Sequence, residues 1–447
     1  QAVADRRSAA EKELTMPYPS LTELLAAVDR LQLEAELKHE RGAQDIAERI
    51  AAATSAVREA GAQVAALPDD GALAAREPDS LDAIRALRPP GPRRMGAGVD
   101  EPMYRQRLEG ALLARMAGCT LGALVESWQP EAMRDWAQRH GEPFPPTHYW
   151  KATTLPAAVR YGVSPRRDYT RDGMHGVPVD DDIAYTLLGL LIVERFGFDF
   201  TTADVGRAWI DYLPMACTAE DVALKNLKAG IAAERAAEVD NPYVHWIGAD
   251  IRADPWRYLA PGAPERAATM AYRDAFLSHR RSGVYGAMFF AAAISAAMVL
   301  DDPIEALRLG LTEIPAECRL AEDLRWALEV GPTLADYQAA RAAVDQRFAG
   351  MHPVHTNNNA CLTVFGLFVG GGDVTRTIGQ TVAMGLDNDC TAATAGSILG
   401  ATVGRDAVPA HWHQPFHDTV HSYLIDQPRF AISDLVDRFT RLALPQA

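Results

Sequence analysis

Val179-Asp180-Asp181-Asp182-Ile183 runs directly into Ala184-Tyr185-Thr186-Leu187-Leu188-Gly189-Leu190-Leu191-Ile192-Val193. Three consecutive acids thus open an apolar segment of roughly three helical turns. A helix apolar on every side belongs among other helices rather than on a surface. One acid at its start is an ordinary N-cap, favoured by the free N–H groups of the first turn and by the helix dipole. Three adjacent acids repel one another beside a core, so this run asks for a positive partner.

A second stretch repeats the pattern. Gly385-Leu386-Asp387-Asn388-Asp389-Cys390-Thr391 precedes the small-residue run Ala392 to Ala401. Asp387 and Asp389 stand two residues apart, so in a turning segment both carboxylates converge on one ion. Two such helix starts brought together by a bundle need a counter-charge. Hard oxygen donors select Mg²⁺, with Mn²⁺ or Ca²⁺ as alternatives, over zinc. Two ions about 3.5–4 Å apart would hold a water or substrate oxygen between them.

Outward from these clusters the chain reads as helix after helix from residue 101 onward, with convincing period-2 strands scarce; the fold expected is all-α. Gly283 to Leu300 is apolar, but Ala, Gly and Ser dominate it and Asp301-Asp302-Pro303 closes it, as in a buried core helix rather than a membrane span. Residues 1–87 are expected as a helical N-terminal extension. Ser20-Leu21-Thr22-Glu23 has the form of a capping box ahead of an apolar stripe at Leu21, Leu24, Leu25, Val28 and Leu31, and a second stripe follows at Ile46, Ile50, Ala53 and Val57. The Pro- and Gly-rich segment 88–100 is expected as a linker, with 101–447 as the main domain. Two irregular blocks interrupt it, Arg139 to Asp172 and Asp240 to Pro264; long irregular stretches inside compact domains tend to be functional.

Composition narrows the function classes. The 447 residues carry 44 Lys+Arg against 59 Asp+Glu, a formal net charge of -15, which excludes a general nucleic-acid binder. Five cysteines with no CxxC pair describe a reduced, cytoplasmic protein without a disulfide framework. Charges interrupt every apolar run near the start, so no secretory leader is read there. His413, His417 and His421 lie four apart, but Pro415 breaks the register and surface or packing roles are expected.

Four blocks in order resemble the ADP-ribosylglycohydrolase superfamily, the group containing dinitrogenase reductase-activating glycohydrolase and the ADP-ribosyl-acceptor hydrolases. They are Gly110 to Glu126 with glycines at 118 and 122, the Asp180-Asp181-Asp182 run, Ser282-Gly283-Val284-Tyr285-Gly286-Ala287-Met288, and Asp387 to Gly396. The resemblance covers roughly residues 101–405. It implies a compact orthogonal helical bundle and a Mg²⁺-dependent glycosidase with two ions, acting at the anomeric carbon of a ribose on an ADP-ribosylated substrate. Carried over by position, Asp181, Asp182, Asp387 and Asp389 are metal ligands. Asp180 stands where the family usually has Thr, and Cys390 where Thr or Ser usually ligates, leaving Thr391 as the nearest hydroxyl.

Glu126 and Asp181 are the expected catalytic carboxylates, Glu126 as base or substrate-orienting acid. Cys119 replaces an Asp common in the family, as core filler or functional group alike. Tyr285 and Gly286 of the middle block are expected to bind substrate, Tyr285 by stacking on a base or ribose, with core packing as the competing role. The turn His355-Thr356-Asn357-Asn358-Asn359 offers His355 and three amides for sugar hydroxyls. Met288 is followed by Phe289-Phe290 where the family often has a basic residue. That loss favours one rival, a hydrolase of a nucleoside or other small ribosylated metabolite; a second rival is a non-catalytic binding or structural member, against which the retained carboxylates argue. The partner expected is therefore a ribosylated substrate rather than a membrane, and the oligomeric state is not read from the sequence.

Overall fold

In the computed structural model, which describes residues 18–95, 99–155 and 157–444, the apolar run after Asp182 is a buried helix, and so are its neighbours. The chain forms two compact units, one of residues up to Ala75 with Ala349–Met351, the other of Arg76–Phe348 with His352–Ala447. Gln1 to Pro17 of the expected extension and Gly96 to Gly98 of the expected linker lie outside the described residues.

The first unit holds helices α1 (Thr22–Glu40) and α2 (Ile46–Ala65), neither of which buries a residue. The helix starts at Thr22, its N-cap Leu21 makes no side-chain cap bond, and Ser20 Oγ accepts from Thr22 N at 3.4 Å. The capping box is therefore not formed: the helix begins one position too late for Ser20 to face the third helical N–H.

The second unit opens with α3 (Leu81–Leu87), whose N-cap Ser80 accepts from Ala83 N. The Pro-rich stretch after it is hydrogen-bonded rather than free within this unit: Arg88 pairs with Glu313 at 2.5 Å and Glu265 at 2.6 Å, and Met95 N donates to Gly262 O at 2.7 Å. Then come α4 (Glu101–Gly122), α5 (Asp181–Phe196), α6 (Pro264–Ala275), α7 (Ser282–Ala297), α8 (Thr356–Gly370), α9 (Val374–Ala383), α10 (Asn388–Val403) and α11 (Ile432–Ala443). Further helices connect them. Strand pairing among the described residues amounts to two antiparallel ribbons, β1 (Val159–Arg160) with β2 (Ser164–Pro165) and β3 (Thr419–His421) with β4 (Arg429–Ala431), and two isolated bridges, Val177 with Val420 and Trp246 with His355. The fold is all-α.

All 16 residues of α7 are buried, as its composition requires of a core helix. Among the described residues no helix is long and apolar enough to cross a membrane.

The tightest crossing is α4 on α10, and small residues make it. A Cβ at Gly118 would lie 2.5 Å from the carbonyl carbon of Ala392, and one at Gly122 2.5 Å from the backbone N of Asp389. Only hydrogen fits there, so the two backbones touch and the end of α4 is fixed against the first turn of α10. We expect Gly122→Ala to force these helices apart at a cost of about 1–3 kcal/mol. It should show as a lower urea midpoint at unchanged m-value.

Candidate active site

Asp180 is the N-cap of α5 and Asp387 stands at the N-cap position of α10. The two acid runs therefore sit at two helix N-termini, where the dipole favours negative charge. Both termini open into one cleft of about 380 Å³, whose walls include Glu126, Arg160, Tyr161, Asp181, Asp387, Asp389 and Cys390. Glu126 reaches it from the turn that follows α4, and Arg160 and Tyr161 from the β1–β2 ribbon.

The acids are not equally satisfied. Asp180 Oδ1 accepts from Asp182 N at 3.2 Å, and its Oδ2 from Arg160 Nη2 at 3.1 Å. Asp181 is half-buried, and its Oδ1 accepts from Tyr161 Oη at 2.8 Å and Asp182 N at 3.1 Å. Asp182 is fully buried; Arg115 Nη2 stands 3.3 Å from its Oδ1, and Cys390 Sγ donates to its Oδ2 at 3.2 Å. Asp389 Oδ2 accepts from Arg160 Nη2 at 3.2 Å. The Oδ1 atoms of Asp387 and Asp389 are buried and have no hydrogen-bond partner.

The energetic consequence is visible in the protonation equilibria. Burial first, then neighbouring carboxylates, pushes Asp182 up to about 7 against the pull of Arg115, and burial with Glu126 pushes Asp389 up to about 7 against the pull of Arg160. Burial likewise raises Asp180 despite Arg160, and it raises Asp387 with Asp389 and Glu126 adding to it. Glu126 is raised by desolvation and by Asp181 and Asp182, against Arg160, whose Nη1 lies 3.0 Å from its Oε2. A crowd of carboxylates that holds its protons this strongly is short of positive charge.

These donors fit a hard divalent cation. Asp387 and Asp389 present unpaired, buried carboxylate oxygens, and the ligating atoms of Asp387, Asp389 and Cys390 lie within 4.8 Å of one another. Asp180, Asp182 and Cys119 form a second such group. Burial and the three neighbouring carboxylates push the Cys119 thiol well up, and burial with Asp182, Asp387 and Asp389 does the same to Cys390. Both are therefore neutral thiols, poor ligands for such an ion. Thr391 is buried with its Oγ1 unpartnered, but it does not line the cleft.

The expected substrate groups are not among the residues that line the cleft. Tyr285 is fully buried with its hydroxyl donating to Pro78 O at 2.6 Å, so its ring fills core rather than facing the cleft. Gly286 gives room to the Asp250 carboxylate and to Thr356. His355 is the N-cap of α8, its Nδ1 accepting from Asn357 N at 3.1 Å, and burial lowers it to about 3. Asn357 donates to Asp323 Oδ2 at 2.7 Å and Asn358 to His352 O at 3.0 Å. Asn359 ties the two blocks together. Its amide donates to Pro353 O at 2.7 Å and His355 O at 2.9 Å, and its Oδ1 accepts from Asp387 N at 3.2 Å. The amide-rich turn thus holds the Asp387 loop, and Val354 is its contribution to the cleft wall.

The reading from sequence passes over Arg160, Tyr161 and Arg115. The first two lie in the irregular block Arg139 to Asp172, and the only signal they offered was a cation and a phenol beside a glycine turn. Arg115 sits within an otherwise apolar face of α4, fully buried, hydrogen-bonded to Asp182 O and Ile251 O at 2.8 Å each and ion-paired with Asp254 Oδ2 at 2.6 Å.

An all-α body that points two acid-bearing helix N-termini into one cleft defines a helical protein built around clustered carboxylates. The ADP-ribosylglycohydrolase family model matches residues 100–445, and the chain belongs to that family, whose members are glycosidase hydrolases. Among solved structures, one similar chain is described as an ADP-ribosylglycohydrolase-related protein complex; it is 20% identical with a TM-score of 0.48, covering 77% of this chain and 97% of its own. No curated protein matches.

Removing Arg115 tests the electrostatic account of the site. Arg115→Met leaves Asp182 and Asp254 buried without this cation, and we expect a loss of about 3–5 kcal/mol in unfolding free energy, measured by urea denaturation.

Proposed function

We propose that the protein is a Mg²⁺-dependent glycohydrolase cleaving an N- or O-glycosidic bond at the ribose anomeric carbon of an ADP-ribosylated substrate. The observation that carries this reading is the pair of unpartnered, buried oxygens on Asp387 and Asp389, which share a cleft with Glu126 and Asp181. Asp387 and Asp389 would hold the ion, with Asp181 and the Asp180 and Asp182 groups completing its surroundings. When bound, the ion supplies Lewis-acid polarisation and orients the ribose hydroxyls.

The chain's own residues do the rest. Glu126 is the cleft carboxylate nearest open solvent, and it takes the proton of an attacking water. The oxygen of that water bonds to C1 while the glycosidic bond breaks, and the proton passes to the departing nitrogen or oxygen. Tyr161 holds Asp181 through its hydroxyl at 2.8 Å, keeping that carboxylate turned to the cleft. Arg160 opposes the upward shift that burial imposes on Glu126 and holds its Oε2 at 3.0 Å. The five cysteines are free thiols, which supports a reducing, cytoplasmic setting as part of the same proposal.

One observation favours a smaller substrate. Arg160 is committed to three carboxylates, so of the two guanidinium groups that line the cleft only Arg166 faces a pyrophosphate. A nucleoside or other small ribosylated metabolite would not need a second cation.

The test is a mass-spectrometric hydrolysis assay over ADP-ribosylated peptides, ADP-ribose derivatives and simple ribosides, each with Mg²⁺ and with EDTA. The expected result is ADP-ribose release that EDTA abolishes and that Asp387→Asn lowers by about 100-fold or more, since even outer partners of metal ligands cost 10–100-fold. Cleavage of ribosides alone selects the smaller substrate. Turnover that survives EDTA and Asp387→Asn overturns the metal-dependent mechanism.

A further inference from the structure

Arg160 occupies a place that nothing in an ordinary acid cluster requires. Its Nη2 bridges the two acid helices, 3.1 Å from Asp180 Oδ2 and 3.2 Å from Asp389 Oδ2, while Nη1 lies 3.0 Å from Glu126 Oε2 and donates to Ala123 O. The side chain is 8% exposed. The β1–β2 ribbon that delivers it is pinned on the same helix start, because Tyr161 donates to Asp181 and Tyr169 donates to Val179 O. The rings of Tyr161 and Tyr169 stand 5.3 and 5.6 Å from the guanidinium carbon, in cation–π range. This is a cation held from several sides, not a surface arginine folded inward.

The rest of the cluster shows what that cation does. On the Asp180 side every carboxylate oxygen of Asp180 and Asp182 has a protein partner: a backbone N–H, Arg160, Arg115 or the Cys390 thiol. On the Asp387 side two buried oxygens have none. A guanidinium is always charged and donates without accepting, so it can neutralise carboxylates as an ion does, and a second cation cannot share its place.

We propose that Arg160 is a built-in replacement for one of two cation positions, so that the protein binds a single divalent ion, on the Asp387–Asp389 side, and that Arg160 is what excludes a second. This rests on the reading of the cleft as a metal site given above, and it revises the two-ion expectation. Asp180 then acts by anchoring the guanidinium rather than by ligating.

The experiment counts ions with Mn²⁺ as the probe, by equilibrium dialysis and electron paramagnetic resonance, on the full chain. The wild type should bind one Mn²⁺ per chain with the spectrum of an isolated ion. Arg160→Ala should bind two, with the exchange-coupled spectrum of ions about 4 Å apart, and Arg160→Lys, which keeps a positive charge, should stay at one. A wild type that binds two coupled ions overturns the proposal whether or not the variants fold. So does a folded Arg160→Ala, checked by circular dichroism, that still binds one. A wild type that binds no Mn²⁺ overturns the metal reading itself, an outcome distinct from either of these.

Discussion

The backbone contact between α4 and α10 is the constraint on which the site depends. Where Gly118 and Gly122 meet Ala392 and Asp389, no side chain separates the helices, and packing at that distance leaves no freedom in register. The first turn of α10 is thereby fixed against the end of α4. One end of the crossing carries Asp387 and Asp389, and the turn beyond it carries Glu126. The carboxylates proposed as ligands, and the short turn that carries the proposed base, are thus anchored by one rigid crossing, the kind of support that precise catalytic geometry needs.

Bringing those acids together creates an electrostatic problem that the fold answers in three ways. The helix N-termini of α5 and α10 supply partial positive charge, about half an elementary charge each. Arg115 enters from within α4 and neutralises Asp182 from the core side, reaching Asp254 with another of its nitrogens. Arg160 enters from the solvent side, on a ribbon. Among the fully buried oxygens of the two acid runs, those left without a hydrogen-bond partner are the Oδ1 atoms of Asp387 and Asp389.

Patterns that depend on neighbours in the chain were legible in the sequence. Acids opening an apolar helix define both clusters without reference to the fold, and the small residues of α4, α7 and α10 announce close helix packing. What depends on distant neighbours was not. Tyr285 has the chemistry of a stacking residue, yet its place in the first turn of a helix buried on all sides sends its hydroxyl to Pro78 instead of the cleft. The amides of residues 357–359 have the chemistry of a sugar site, but their NH₂ groups are spent on Asp323 and on backbone carbonyls, and the Asn359 oxygen on the Asp387 loop. Arg160 was invisible for the opposite reason: it lies in a segment without periodicity, two residues into a tiny ribbon, and only tertiary structure brings it to the acids.

The division between rigid helices and the inserted ribbon also bears on substrate choice. The carboxylates come from helix ends that the core fixes, so their positions cannot vary without disturbing the α4–α10 crossing. Arg160, Tyr161 and Arg166 come from an irregular segment whose tip, Gly162 to Val163, is exposed. Changes there alter the cleft wall at little cost to the core, as expected of loops on a rigid scaffold. The same segment removes a cation from substrate recognition by committing Arg160 to acids, and offers Arg166 in its neighbourhood. In the proposed reaction the carboxylates come from the helix ends and the turn after α4, while the charge offered to a phosphate-bearing substrate would come from the ribbon. Two members of this fold can share the first and differ in the second.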